Sequence, residues 1–433
     1  MSHDWPYPEI LKNEKNDLKR KLLLSLLIGV SITTVTNAAP NVDYLQKKYN
    51  ISSEEANMRI ELQNDVIALS EKLNQANDSD YADMYIQHQP VYKIIVLFAD
   101  NSDRKDFLKS LDPKMQRWVQ IKQAKKSRSI YSQELDDINM ALNRLNLIYT
   151  SVYDLESQKF LITVENKSDI NLVKQSLPKA RNGEVTIKVG NIPKIQAAPS
   201  GVRAGDKLYA GNTLSYTSGS PGCTAGFAVS YISGGVTKKG ILTSGHCPND
   251  MLVKFNDHNV LLSGPIVEKQ HRSDPNGGGD NISDKYDYQI WDGTGLNLDN
   301  QIAFKDLNGI PEFPATGIFR LTAITTFLNQ KKGMIVCKSG QTTGITCGEI
   351  TNGNASHDGV AGWIQVANSN QANISAGGDS GGAWFLYPGS STNVTGVGVH
   401  TAGNSSTNPE DYAIYMPIDY IDDHISSVNT LKQ

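Results

Sequence analysis

Glycine is almost missing from the first 200 residues of this chain. Only Gly29, Gly183 and Gly190 occur there, and the other 33 of its 36 glycines stand from residue 201 onward. Glycine supplies the positive φ angles of tight turns, so its absence argues against a first half built from many short hairpins, and its abundance later favours one. Cysteine is also sparse: four in 433 residues, Cys223, Cys247, Cys337 and Cys347, all in the second half. No Cys-x-x-Cys pair and no cluster of histidines accompanies them, which removes the usual spacing of a metal site. Excess charge is lacking too. A formal net charge of −4 over the whole chain gives no basic field for nucleic acid or an anionic membrane. Finally, there is no long apolar run. The longest, Leu22 to Ile32, falls short of the roughly 20 residues a membrane-crossing helix needs.

That short run follows Lys19-Arg20-Lys21 and precedes small residues around Thr36-Asn37-Ala38-Ala39. The pattern is that of a secretory signal peptide with a long front region, covering 1–38 and cut near Ala38. An uncleaved anchor is the rival reading. Export to the extracellular space or the periplasm would favour two disulfides over a zinc site, although four cysteines can pair in three ways. At 433 residues the chain is long enough for two or three domains.

Residues 41–77 are polar with helical periodicity. Leu45, Ala56, Ile60, Leu62, Val66, Leu69 and Leu73 recur at spacings near three and four, and Ser52-Ser53 before Glu54-Glu55 marks a helix start. The run 90–98 (PVYKIIVLF) reads as a strand and 132–147 as mostly helical; 160–164, 168–177 and 185–189 then read as strand, helix, strand. The first half is therefore a small α+β region without a concentration of catalytic residue types. Between Ile192 and Arg203 two prolines and several small residues with no sustained period mark an exposed boundary. Beyond it, short apolar runs at 226–231, 240–243, 288–291, 363–366 and 394–400 alternate with Gly, Asn, Ser and Pro, the pattern of an all-β sandwich or barrel.

Three segments of this second half carry chemistry. His246 closes the run Leu242-Thr-Ser-Gly-His246-Cys247, Asp287 enters the strand-like Asp287-Tyr-Gln-Ile-Trp291, and Ser380 sits in Gly377-Gly-Asp-Ser-Gly-Gly382. A lone histidine is ordinarily structural, an acid at a strand start is ordinarily exposed, and Gly/Ser clusters are ordinarily loops. Together they supply what acyl transfer requires: a hydroxyl nucleophile, an imidazole to take and return its proton, and a carboxylate to fix the imidazole's tautomer. Glycines beside the serine allow the backbone to aim two N–H groups at a developing oxyanion.

The order His246, Asp287, Ser380 resembles the chymotrypsin-like serine proteases, and within them the secreted bacterial group that includes alpha-lytic protease and the streptogrisins. The residues that carry the likeness are 223–229 (CTAGFAV), 243–247 (TSGHC), Asp287-Tyr288, 336–344 (VCKSGQTTG) with Cys347-Gly348, and 378–382 (GDSGG). It extends over 200–425. The resemblance implies an all-β catalytic domain at 199–433, a trypsin-like double six-stranded β-barrel. In it His246 is the general base, Asp287 its orienting carboxylate, Ser380 the nucleophile, and the N–H groups of Gly378 and Ser380 the oxyanion hole. It selects the pairings Cys223–Cys247 and Cys337–Cys347. It places the substrate pocket between Ile374-Ser375-Ala376-Gly377 and Thr401-Ala402-Gly403, with Thr401 supporting Asp287. Ser244 stands where the family usually has alanine, His400 and Thr401 stand where a small hydroxyl residue is expected, and Asp284 is the substitute for Asp287 if the loop register shifts. More loosely, 44–56 and 92–98 are similar to the opening helix and a strand of the pro regions of these proteases. An α+β pro region at 39–198 would then assist folding and inhibit the enzyme until cleavage within about 192–202. The implied protein is a secreted serine endopeptidase made as a zymogen, acting on polypeptides, without metal, cofactor or nucleic-acid partner, with no stable membrane association, and monomeric once mature. A silent protease-like binding protein and a serine esterase are the alternatives; the esterase elbow needs a strand–turn–helix setting and Ser–acid–His order, which this chain lacks.

Overall fold

The computed structural model describes residues 39–145, 147–178, 183–192, 208–210, 213–216, 223–247, 251–255, 258–261, 263–269, 285–293, 298–303, 318–357, 359–367, 373–388, 392–404, 412–425, 428–430 and 432. The expected signal peptide, most of the expected maturation segment and Asp284 lie outside them.

The periodic stretch near the start forms two helices, Pro40–Tyr49 and Ser53–Gln75, the second starting where Ser52-Ser53 marks it. Asn50 separates them in the left-handed region (φ 53°), a conformation that asparagine tolerates better than most residues. Ser52 caps the second helix, its hydroxyl accepting from the Glu55 N–H at 3.2 Å, and so satisfies a donor that would otherwise be unpaired. Leu45, Ala56, Ile60, Leu62, Val66, Leu69 and Leu73 are all buried, as the spacing predicts.

Strands Tyr81–Gln87, Lys93–Phe98 and Val119–Gln123 form a three-stranded sheet beside these helices. The helix Arg128–Leu142 packs Tyr131, Leu135, Ile138 and Leu142 into a core with Tyr149, Phe160, Ile162 and Val173. Strands Tyr149–Asp154, Lys159–Val164 and Val185–Val189 continue a sheet that crosses into the second half of the chain. Ser151 pairs with Ser356 and Thr150 with His357 on the long strand Gly344–His357. The polar groups at this seam are matched: Ser151 Oγ bonds Asn139 Oδ1 at 2.5 Å, and Asn139 Nδ2 donates to Ser356 Oγ at 2.8 Å. Apolar burial joins the halves as well. Leu62, Val66, Ile94 and Val96 share one core with Met334, Val336, Ile364, Trp384 and Tyr415, at about 1.5–3 kcal/mol per large side chain buried.

Described residues from Leu208 onward are mostly strand. A five-stranded sheet runs through Ser263–Lys269, Tyr288–Asp292, Val236–Thr243, Ala228–Ser233 and Asn429–Thr430, and a four-stranded sheet includes Cys223–Thr224. The larger sheet that accepts the first-half strands also holds Ile335–Gly340, Ala383–Leu386 and Asn393–Gly403. One α-helix, Asp419–His424, occurs among the described residues of this part. Both disulfides have the pairing the resemblance implies: Cys223–Cys247 and Cys337–Cys347. Among the described residues no helix is long and apolar enough to cross a membrane.

Candidate active site

His246 lies in the short loop after strand Val236–Thr243. The Cys247 N–H turns back onto the Ser244 carbonyl at 3.2 Å, and Cys247 is tied to Cys223 by the disulfide. Asp287 directly precedes strand Tyr288–Asp292, which pairs with the strand that leads to His246. Antiparallel pairing therefore delivers the acid and the imidazole to the same end of the sheet. Asp287 Oδ1 accepts from the His246 backbone N–H at 3.0 Å, and Oδ2 lies 3.0 Å from Nδ1. On the other edge of the ring, Nε2 is 2.9 Å from Ser380 Oγ.

This geometry fixes the tautomer. An ionised carboxylate only accepts, so the His246 Nδ1 carries the hydrogen and Nε2 presents its lone pair to the serine hydroxyl. Burial works to raise the fully buried Asp287 carboxyl. The adjacent His246 ring and its hydrogen bonds, with help from the Thr401 hydroxyl, outweigh that and hold it below the usual carboxylate range. The buried Thr401 hydroxyl does not meet full hydrogen-bond geometry with any partner among the described residues.

Ser380 sits in a loop whose shape depends on its glycines. Gly378 has φ 96° and Gly381 φ 87°, both in the region that side chains disfavour. A Cβ on Gly381 would stand 2.0 Å from Thr243 Oγ1 and 2.4 Å from the Thr224 carbonyl oxygen, so the serine loop touches the strand that leads to His246. Among the described residues neither the Gly378 nor the Ser380 N–H donates a hydrogen bond, leaving both donors for an oxyanion.

Asp379, which sequence reasoning passed over, braces this loop. Its Oδ2 accepts from Lys338 Nζ at 2.9 Å, Thr343 Oγ1 at 2.6 Å and the Ala376 N–H at 2.9 Å. Its Oδ1 accepts from the Thr342 and Thr343 N–H groups at 2.9 and 3.1 Å. Burial works against the charge, but Lys338 and these bonds keep the carboxyl low. Nothing in the sequence marks Lys338 as its partner, 41 residues away.

The expected pocket walls meet: a Cβ on Gly403 would fall 1.9 Å from Ser375 Oγ. Ile374, Ser375, Thr401 and Ala402 are buried, while Ala376 is partly exposed between them. His400 is a core residue. Its Nδ1 accepts from the Trp384 indole N–H at 3.4 Å, and burial pushes its pKa down to about 3, so the ring is neutral at ordinary pH.

No family model and no curated protein matches this chain. Solved structures do. Its structural neighbours are bacterial chymotrypsin-like serine proteases. Nocardiopsis protease and Thermobifida fusca protease A each share 18% identity with a TM-score of 0.36. Cellulomonas bogoriensis chymotrypsin shares 23% with a TM-score of 0.34. Each match covers 52% of this chain and 100% of the neighbour. At such scores the catalytic assignment has to stand on the side chains themselves.

Proposed function

We propose that this chain is a serine endopeptidase working through an acyl-enzyme on Ser380. The observation that carries the reading is the unbroken relay Asp287–His246–Ser380, with 3.0 Å at Nδ1 and 2.9 Å at Nε2. In the reaction Ser380 Oγ adds to the scissile carbonyl carbon and its proton passes to His246 Nε2. The oxyanion falls to the N–H groups of Gly378 and Ser380, each worth about 3–4 kcal/mol of barrier. The tetrahedral species collapses, the C–N bond breaks, and the leaving amine takes the proton from His246. Water then repeats the cycle on the acyl ester, with His246 again accepting and returning the proton. Asp287 stays ionised throughout and stabilises the imidazolium.

The reading extends to a secreted precursor with a double six-stranded β-barrel at 199–433 and an α+β pro region at 39–198 that masks the site and aids folding. The shared sheet at Ser151 and Ser356 supports this, as does the exit of the first half beside the pocket: Tyr412 Oη donates to the Asn191 carbonyl at 2.5 Å. A protein rich in long-range strand pairing folds slowly, which suits a folding assistant. Hydrolysis of a peptide and ester panel by wild type, Ser380→Ala and His246→Ala tests the proposal. Peptide cleavage lost in both variants is expected. Cleavage that persists in Ser380→Ala, or an active wild type that takes esters only, would overturn it.

A further inference from the structure

Resting on that reading, we infer that Ser244 and Gln289 form a single polar brace that positions His246 against both of its partners. Each is a buried polar side chain with no role in proton transfer. Gln289 lies on the strand that Asp287 opens, two residues beyond the acid, and its side chain has no exposed surface. Its Nε2 donates to the Ser244 carbonyl at 2.9 Å and to the Cys247 carbonyl at 2.7 Å. Those two carbonyls flank His246, so one amide grips both ends of the histidine loop. Its Oε1 is held in turn by the Trp291 indole N–H at 3.0 Å, which fixes the amide's orientation and removes the alternative flip.

Ser244 continues the chain of bonds to the other half of the site. Its hydroxyl, also fully buried, donates to the His400 carbonyl at 2.6 Å. The same carbonyl accepts from the Gly381 N–H at 2.8 Å, immediately after the nucleophile. One carbonyl oxygen thus joins the histidine loop to the serine loop, while Gln289 joins the histidine loop to the aspartate strand. The disulfide Cys223–Cys247 restrains the far side of the loop but reaches neither Asp287 nor Ser380 directly. Misplacing a proton acceptor by an ångström costs rate far more than binding. Neither Ser244 nor Gln289 touches the space where substrate would lie, so both act through His246. They are positioning residues.

Ser244→Ala and Gln289→Met change shape little and remove the bonds; each should lower Tm, because buried partners lose a hydrogen bond, so kcat carries the distinction. In protein recovered from expression of the full chain, each is expected to lower kcat on a peptide substrate about tenfold with KM within twofold. The double variant should lose little more than the worse single one, because both supports act on one loop. Gln330→Met is the matched control: its amide, also buried, donates to the Val397 carbonyl at 2.9 Å and accepts from Tyr415 Oη at 2.5 Å. It should lower Tm and leave kcat unchanged. A kcat for Ser244→Ala within twofold of wild type would overturn the inference. So would an equal loss of kcat in the control, or a double-variant loss equal to the product of the singles. A wild type with no Ser380-dependent turnover would instead sink the proposed activity itself, and the brace with it.

Discussion

Asp379 and Lys338 both have no exposed side-chain surface, so removing one leaves the other charged and stranded. Lys338→Met is expected to cost about 3–5 kcal/mol of stability and to lower kcat with it, because the loop it releases carries the N–H groups of Gly378 and Ser380. Denaturant unfolding beside steady-state kinetics checks both effects. Adding Asp379→Asn to Lys338→Met should restore part of the stability. It should not restore the rate, since the Thr342, Thr343 and Ala376 N–H groups then share a poorer acceptor. Asp287→Asn addresses the proton relay itself. An amide would favour the wrong tautomer of His246, and kcat at neutral pH should fall on the order of 10⁴-fold with little change in Tm.

At the scale of elements, the strand Val236–Thr243 and the serine loop are fitted closely enough that Gly381→Ala should destabilise by about 3 kcal/mol, combining overpacking with the strained φ. Changing Thr243 to serine in that background would not rescue it, because the Thr224 backbone carbonyl blocks the same space. Thermal melts of the two variants test this. The elements also show what could be read in advance. That His246, Asp287 and Ser380 come together was legible because each sits in a distinctive local motif. The helix Ser53–Gln75 was legible because its apolar face repeats every three to four residues. Strands Tyr81–Gln87 and Tyr149–Asp154 were not. Tyr81–Gln87 is buried on both faces and so lacks alternation, and its polar Asp83 is matched by Lys331 and Arg128. Tyr149–Asp154 is half polar because Thr150 and Ser151 pair with a strand some 200 residues on, a partner that no local pattern announces. The brace of Ser244 and Gln289 was hidden for the same reason: a buried glutamine in a strand looks like any exposed one until its carbonyl partners are known.

Across the whole molecule, the carboxylates and the histidine at the seam between the two halves share one sign of pH dependence. Glu349 accepts from Lys48 Nζ at 2.7 Å and from the Tyr49 hydroxyl, and Lys331 pairs with Asp83 at 2.6 Å and Lys332 with Asp154 at 2.7 Å. Burial opposes the carboxylates at Glu349, Asp83 and Asp154, yet their cationic partners hold all three below the ordinary range. His88 adds an earlier step. Its Nε2–H donates to the Gly333 carbonyl at 2.7 Å, and its Nδ1 accepts from Arg59 at 3.2 Å, so a second proton would face a guanidinium. Burial, reinforced by Arg59 and Lys48 and opposed by Glu349, lowers its pKa from 6.5. Each of these groups is depressed in the folded state. The stability each contributes is present above its unfolded pKa and lost as pH falls through the folded one. The seam should therefore begin to weaken below about pH 6.5 through His88, and give way further below about pH 4 as the carboxylates protonate. Lys48, whose pKa is raised by Glu349 against the pull of burial, acts only at alkaline pH. Hydrogen exchange in Tyr149–Asp154 across this range checks the order, and His88→Gln should remove the first step.

The most direct test of the central claim is to treat the protein with a fluorophosphonate and map the adduct by mass spectrometry. Stoichiometric modification of Ser380, accompanied by loss of peptide hydrolysis and abolished by His246→Ala, is the expected result. An adduct elsewhere, or full peptidase activity in protein labelled at Ser380, would contradict it.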